Sequence, residues 1–136
     1  MIKELRQSFF QTFTLTSLWV TLLLSLFYKD QPITTSYLWS AAGIALIAAF
    51  LFGMMYNALW NYFTLKPAWN ILIASTLNIA GGLTMVWLFS REMYDSVIAW
   101  WPGMLVLSLV LHTAAFYFYA KSESKRSADE LNKRFK

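Results

Sequence analysis

QSFFQTFTLTSLWVTLLLSLFY, residues Gln7–Tyr28, contains no Asp, Glu, Lys or Arg. A helix rises ~1.5 Å per residue and a bilayer core is ~30 Å thick, so ~20 such residues cross it once. Three further charge-free stretches follow, Gln31–Leu65, Pro67–Ser90 and Ser96–Ala120. The charges fall almost entirely in the short gaps between them and in the last residues. This pattern predicts an all-α protein, an integral membrane four-helix bundle with spans at about 9–28, 37–61, 68–89 and 97–120.

Of the 136 residues, 58% are hydrophobic and 13% charged, so the four spans and a tail consume nearly the whole length. One membrane domain is expected over residues 1–120, followed by a charged tail over 121–136. The first apolar run is too long for a signal core and no small-residue cleavage site follows it, so it is expected to be a retained span. Cysteine is absent, which removes disulfides, thiolate nucleophiles and Cys-ligated metals.

An even number of spans places both termini on one side. That side carries Lys3, Arg6, Lys66 and the tail cations Lys121, Lys125, Arg126, Lys133, Arg134 and Lys136, nine in all, against Lys29 and Arg91 opposite. Short loops rich in Lys and Arg stay cytoplasmic. Both termini are therefore expected in the cytoplasm, with the chain a multi-pass protein of the cell (plasma) membrane. Aromatic residues agree, with Tyr28, Tyr37, Trp39, Trp87, Trp100 and Trp101 at one boundary and Phe9, Phe10, Trp60, Trp69, Tyr117 and Tyr119 at the other. Pro32 and Lys66-Pro67 break the first and second connections. Asp95 or Ser96 is expected to cap the fourth span, with Pro102 kinking its first turns.

Packing can be read from small residues. Span two carries Ala41, Ala45, Ala49 and Gly53 at four-residue steps, continued by Asn57 and Asn61. Side chains four apart are neighbours on a helix, and small ones let another backbone approach closely. The ladder drifts ~40° per step, so over its length it can touch two neighbours. Span three offers Asn70, Ala74, Asn78 and Gly82, and a seam between spans two and three is expected. In span one Thr14, Ser17, Thr21 and Ser25 share a face, read as a packing surface.

No span holds an Asp or Glu, the usual ion-coupling group of a transporter. His112 is the one ionisable intramembrane residue apart from tyrosines, with Ser108 one turn before it. It is read first as a hydrogen-bonded packing histidine and second as a proton-sensitive or ligand-contacting group. A lone histidine makes no metal site. Asn57 and Asn78 need polar partners in hydrocarbon and are expected to meet across the two–three seam. No catalytic triad, phosphate loop, carboxylate pair or metal cluster occurs, so neither enzymatic activity nor a cofactor is expected. In the tail, Ala128, Leu131 and Phe135 form a narrow apolar stripe among mixed charges, a short charged cytoplasmic helix. Lys66, Leu131 and Phe135 make a candidate surface for a cytoplasmic partner.

The overall length, the four spans with a tight inner turn, and an aromatic-rich end of span four (Tyr117, Tyr119) run into a short charged tail closing on Leu131-Asn132-Lys133. In these features the chain resembles a family of small bacterial four-span membrane proteins of unknown function, encoded beside LytTR-type transcription regulators. The resemblance implies a non-enzymatic regulatory protein that binds or sequesters such a regulator at the membrane. Besides the lipid bilayer, the expected partners are that cytoplasmic regulator and a second copy of the chain in a homo-oligomer. Direct nucleic-acid binding is not expected, because the tail mixes Glu123, Asp129 and Glu130 with its cations. One alternative is a small four-span multidrug or lipid-type transporter acting as a dimer. Another is a structural subunit of a larger membrane complex.

Overall fold

The charge-free stretches are helical in the computed structural model, which describes residues 1–30, 32, 34–63 and 65–134, without the side chains at 129–131 and 134. The elements are α1 (Ile2–Phe27), α2 (Thr35–Ala48), a π-helical segment (Ala49–Met55), α3 (Tyr56–Asn61), α4 (Pro67–Phe89), α5 (Arg91–Val97), a 3-10 turn (Ile98–Trp100) and α6 (Trp101–Arg134). No strand occurs among the described residues. α2, the π segment and α3 run on as one rod, so four helical rods are long and apolar enough to cross a membrane, as expected of a multi-pass membrane protein.

The second rod is the hub. Its apolar window is 33% buried, against 6% for α1 and 6% for the fourth rod, so most of the internal packing runs through it. α1 lies along α2 and the π segment on one side, α4 packs against α2, and α6 packs against α4. The small core reflects this, with Ile44, Ala45, Ala48, Ala49, Leu51 and Leu59 all from the second rod, joined by Val20 of α1 and Ala74 of α4. The accessible surface is 10059 Å² for 15.8 kDa, whereas a compact soluble monomer of that mass exposes roughly 7,300 Å². Long apolar rods left this open need lipid or protein around them.

The small residues divide between two neighbours. Gly53 is buried against α1: a Cβ there would sit 2.9 Å from the Phe9 Cα and 2.9 Å from the Ser8 carbonyl oxygen. Gly43 faces α4, where a Cβ would meet Leu88 Cδ1 at 3.3 Å. The ladder's lower end therefore meets α1, one of the two neighbours that its drift allows, beside the seam with α4. On α4 the glycine at the contact is Gly81, which faces Leu51, while Gly82 has open space where its side chain would be. Ala45, Ala49 and Ala74 are buried and Ala41 is half-buried. From Ser17 on, the hydroxyl face of α1 is satisfied within its own helix. Thr14, Thr21 and Ser25 are exposed. Ser17, Thr21 and Ser25 donate back to the carbonyls of Phe13, Ser17 and Thr21, each at 2.8 Å. A hydroxyl four residues from a carbonyl on its own helix satisfies itself and needs no neighbour.

The fourth rod starts differently from expectation. Ser90, not Asp95 or Ser96, is the cap: its Oγ accepts the Met93 N–H at 3.3 Å and begins the separate helix α5. Ser96 Oγ instead donates to the Met93 carbonyl at 2.7 Å. Pro102 has no N–H to give the Ile98 carbonyl, and the Trp101 N–H takes that carbonyl through a 3-10 turn. At the proline, where the sequence suggests a kink, the helix type changes just before it. From Trp101 the helix is unbroken to Arg134, 34 residues, or ~51 Å at the usual rise.

Candidate functional site

Polar groups inside the apolar rods are costly in lipid unless bonded, so their partners define the candidate site. On α6, Ser108 is buried and His112 half-buried, on the side that meets the other rods, while Val106, Leu107, Val110 and Leu111 point away. His112 Nδ1 lies 2.7 Å from the Ser108 carbonyl oxygen and 3.3 Å from Ser108 Oγ. A carbonyl only accepts, so Nδ1 carries a hydrogen and donates it. In the neutral ring Nε2 is then an acceptor, and the Tyr56 hydroxyl, 2.5 Å away, donates to it. The two rings are tilted at 39° with centroids 5.7 Å apart.

This contact joins α6 to the first residue after the π segment. A π-helical turn bonds i to i+5 and is frequent at functional sites. It alters the angular position of every residue beyond it, Tyr56 included. One turn further towards the termini, Trp60 packs on Phe116 at 5.8 Å and Tyr119 at 5.6 Å. Tyr56 and Trp60 therefore meet His112 and Phe116 as two successive rungs at four-residue steps on both helices.

The arrangement holds a proton between two named atoms. Were Nε2 protonated, it would become a donor, the Tyr56 oxygen would accept, and the phenolic hydrogen would need a new acceptor. The contact thus has two hydrogen-bond polarities, and a single proton exchanges them.

Asn57 and Asn78 do not meet. Asn57 Oδ1 accepts from Asn61 Nδ2 at 2.7 Å on its own helix, and half-buried Asn78 makes no side-chain hydrogen bond to another described residue. A four-residue step along α3 supplies Asn57 with a nearer partner than the neighbouring rod. Asn70 is the asparagine that crosses between rods. It is buried, and its Nδ2 donates to the Leu59 carbonyl at 3.2 Å. The Ala58 carbonyl receives both the Tyr62 and Phe63 N–H groups, which leaves Leu59 needing a donor at the helix end. Sequence reading placed Asn70 on the ladder but missed this capping role. Its position three residues after Pro67 in a tight turn is the signal that could have found it.

At the end that bears both termini, Glu4 accepts a hydrogen bond from the Tyr62 hydroxyl and pairs with the Met1 ammonium at 3.2 Å. The Glu4 carboxylate beside it holds the Tyr62 phenol above its ordinary range. This ties the start of α1 to the turn that precedes exposed Lys66. The tail residues 121–128 are exposed along the extension of α6. Of the candidate partner surface, the Leu131 side chain and the whole of Phe135 lie outside the described residues. Among the described residues no group of His, Asp and Glu side chains is placed to hold a metal ion. No family model, curated protein or solved structure matches the chain.

Proposed function

We propose that this is a non-enzymatic regulatory protein of the cell membrane, both termini cytoplasmic, that holds a cytoplasmic partner through its charged tail and the adjoining turn. The observation that carries the reading is the continuity of α6. It runs from Trp101, level with the far boundary, to Arg134 without a break. About 20 residues cross the hydrocarbon, and residues 121–134 then project ~21 Å beyond it as the same helix.

A rigid extension couples the tail to the membrane body. Rotation or sliding of α6 at the Tyr56–His112 contact would move Lys121, Lys125 and Arg126 with it. Lys66, on the turn tied to Glu4 through Tyr62, lies at the same end. The partner class that fits the likeness set out above is a LytTR-type transcription regulator, sequestered at the membrane and released when α6 moves. Nine cations against two between the ends favour the cytoplasmic orientation.

The test is to delete residues 121–136 and follow membrane association of co-expressed partner by fractionation, with the partner identified by co-purification with full-length protein. The truncated protein should remain in the membrane and lose the partner. Unchanged partner retention would refute the reading.

A further inference from the structure

The end opposite the termini holds an open cleft of about 450 Å³ between the end of α1, the start of α2 and the junction of α4 with α5. Its polar lining is one-sided in charge. Arg91 contributes a guanidinium, stacked 3.4 Å above the centre of the Trp87 ring, and no carboxylate lines the cleft. Arg91 has no acidic partner among the described residues. Tyr28, Tyr37, Ser36 and Ser40 also line it, and none of their hydroxyls bonds to another described protein group. Tyr28, Tyr37 and Ser40 are half-buried. A fixed cation with unpartnered hydroxyl donors around it suits a phosphate oxygen set.

Across Phe89 the cleft adjoins an apolar feature that a free anion would not use. A groove of about 380 Å³ between α1, α2 and α4 is lined by Trp19, Leu23, Ile44, Val86 and Met93, among others, and Phe89 borders both groove and cleft. The Phe89 ring lies 6.3 Å from Phe27, at the groove, and 6.1 Å from Tyr28, at the cleft. The polar cavity sits among the aromatic residues at the rod ends, where headgroups lie, and the groove descends along the rods from it.

We propose that this pair of cavities is a phospholipid site, with the phosphate against Arg91 and the hydroxyls and one acyl chain in the groove past Phe89. Arg91 works here by planar, forked donation held in place by Trp87, and the groove supplies dispersion contact along the chain. The proposal is independent of the regulatory reading, since it concerns the opposite end of the molecule.

Native mass spectrometry of the purified full-length protein in maltoside detergent would test it, with four probes: phosphatidylglycerol, diacylglycerol, glycerol phosphate and inorganic phosphate. Phosphatidylglycerol should bind saturably and more tightly than the other three. Arg91→Gln should weaken it about tenfold, as expected for loss of a charge-assisted contact, while Arg91→Lys recovers part of the loss. Because Arg91 is exposed, the variants should fold, which their unchanged far-UV circular dichroism would verify. Equal binding of diacylglycerol, or unchanged binding by Arg91→Gln, would overturn the site. Glycerol phosphate or inorganic phosphate binding as tightly as the lipid would assign the cleft to a soluble anion and overturn the lipid reading.

Discussion

Tyr56 and His112 show how one hydrogen bond can set the relation between two membrane helices. Inside lipid neither group can turn to water, so each depends on the other and on the Ser108 carbonyl. An interhelical bond of this kind contributes ~0.6–2 kcal/mol, since the partly folded chain in the membrane also finds partners. Tyr56→Phe keeps the ring contact and removes only the donor, so it should destabilise the fold by about 1 kcal/mol, measurable by steric trapping or by unfolding in mixed micelles. His112→Phe in that background should cost little more, because the two side chains act as one unit. Full additivity of the two changes would show that the bond contributes nothing. The presence of a lone polar residue at 112 was plain in the sequence, and so was its nearness to Ser108. Its partner was not, because Tyr56 lies among Phe50, Phe52, Met54, Met55 and Trp60, and only the register after the π segment turns it towards α6.

Among the elements, the glycines separate packing from mere smallness. A Cβ at Gly53 would press on backbone atoms of α1, which cannot move aside as a side chain does. Gly53→Val should therefore cost at least 3 kcal/mol, on the order of the larger overpacking penalties, or abolish the folded monomer. Gly81→Ala would press on the end of the Leu51 side chain, which can change rotamer, and about 1–2 kcal/mol is expected. Gly82→Ala meets open space and should change stability by less than about 0.5 kcal/mol. A thermal-shift series in detergent ranks the three, and a Gly82 variant as damaging as the Gly53 variant would contradict the packing described. The four-step spacing identified span two as a packing element. It could not say which glycine meets which helix, because positions 81 and 82 differ by ~100° around the axis and no local property of the chain chooses between them. The π segment was equally hidden, since Gly53 is its only unusual residue and glycine occurs in many ordinary transmembrane helices.

At the scale of the molecule, the four rods enclose little of their own surface, and the outer two contribute few fully buried residues. What orients such a protein is charge at the rod ends. The native chain has no cysteine, so single cysteines report topology without background. Ser122→Cys in intact cells should resist a membrane-impermeant thiol reagent and react after lysis, and Asp95→Cys should react in intact cells. The reverse pattern would invert the orientation and move the proposed partner surface to the other side.

Length, charge and hydropathy alone determined four helices long and apolar enough to cross a membrane, with short connections, because a single run of apolar residues satisfies its backbone in lipid within itself only as a helix. They also determined which ends carry the cations. Tertiary structure decided the rest. It assigned Gly53 to α1, Gly81 to Leu51 of the π segment, Asn70 to the end of α3, and Tyr56 to His112. These are contacts between residues far apart in the chain, set by rotation about each helix axis, and in an apolar solvent hydropathy hardly distinguishes one face of a transmembrane helix from another.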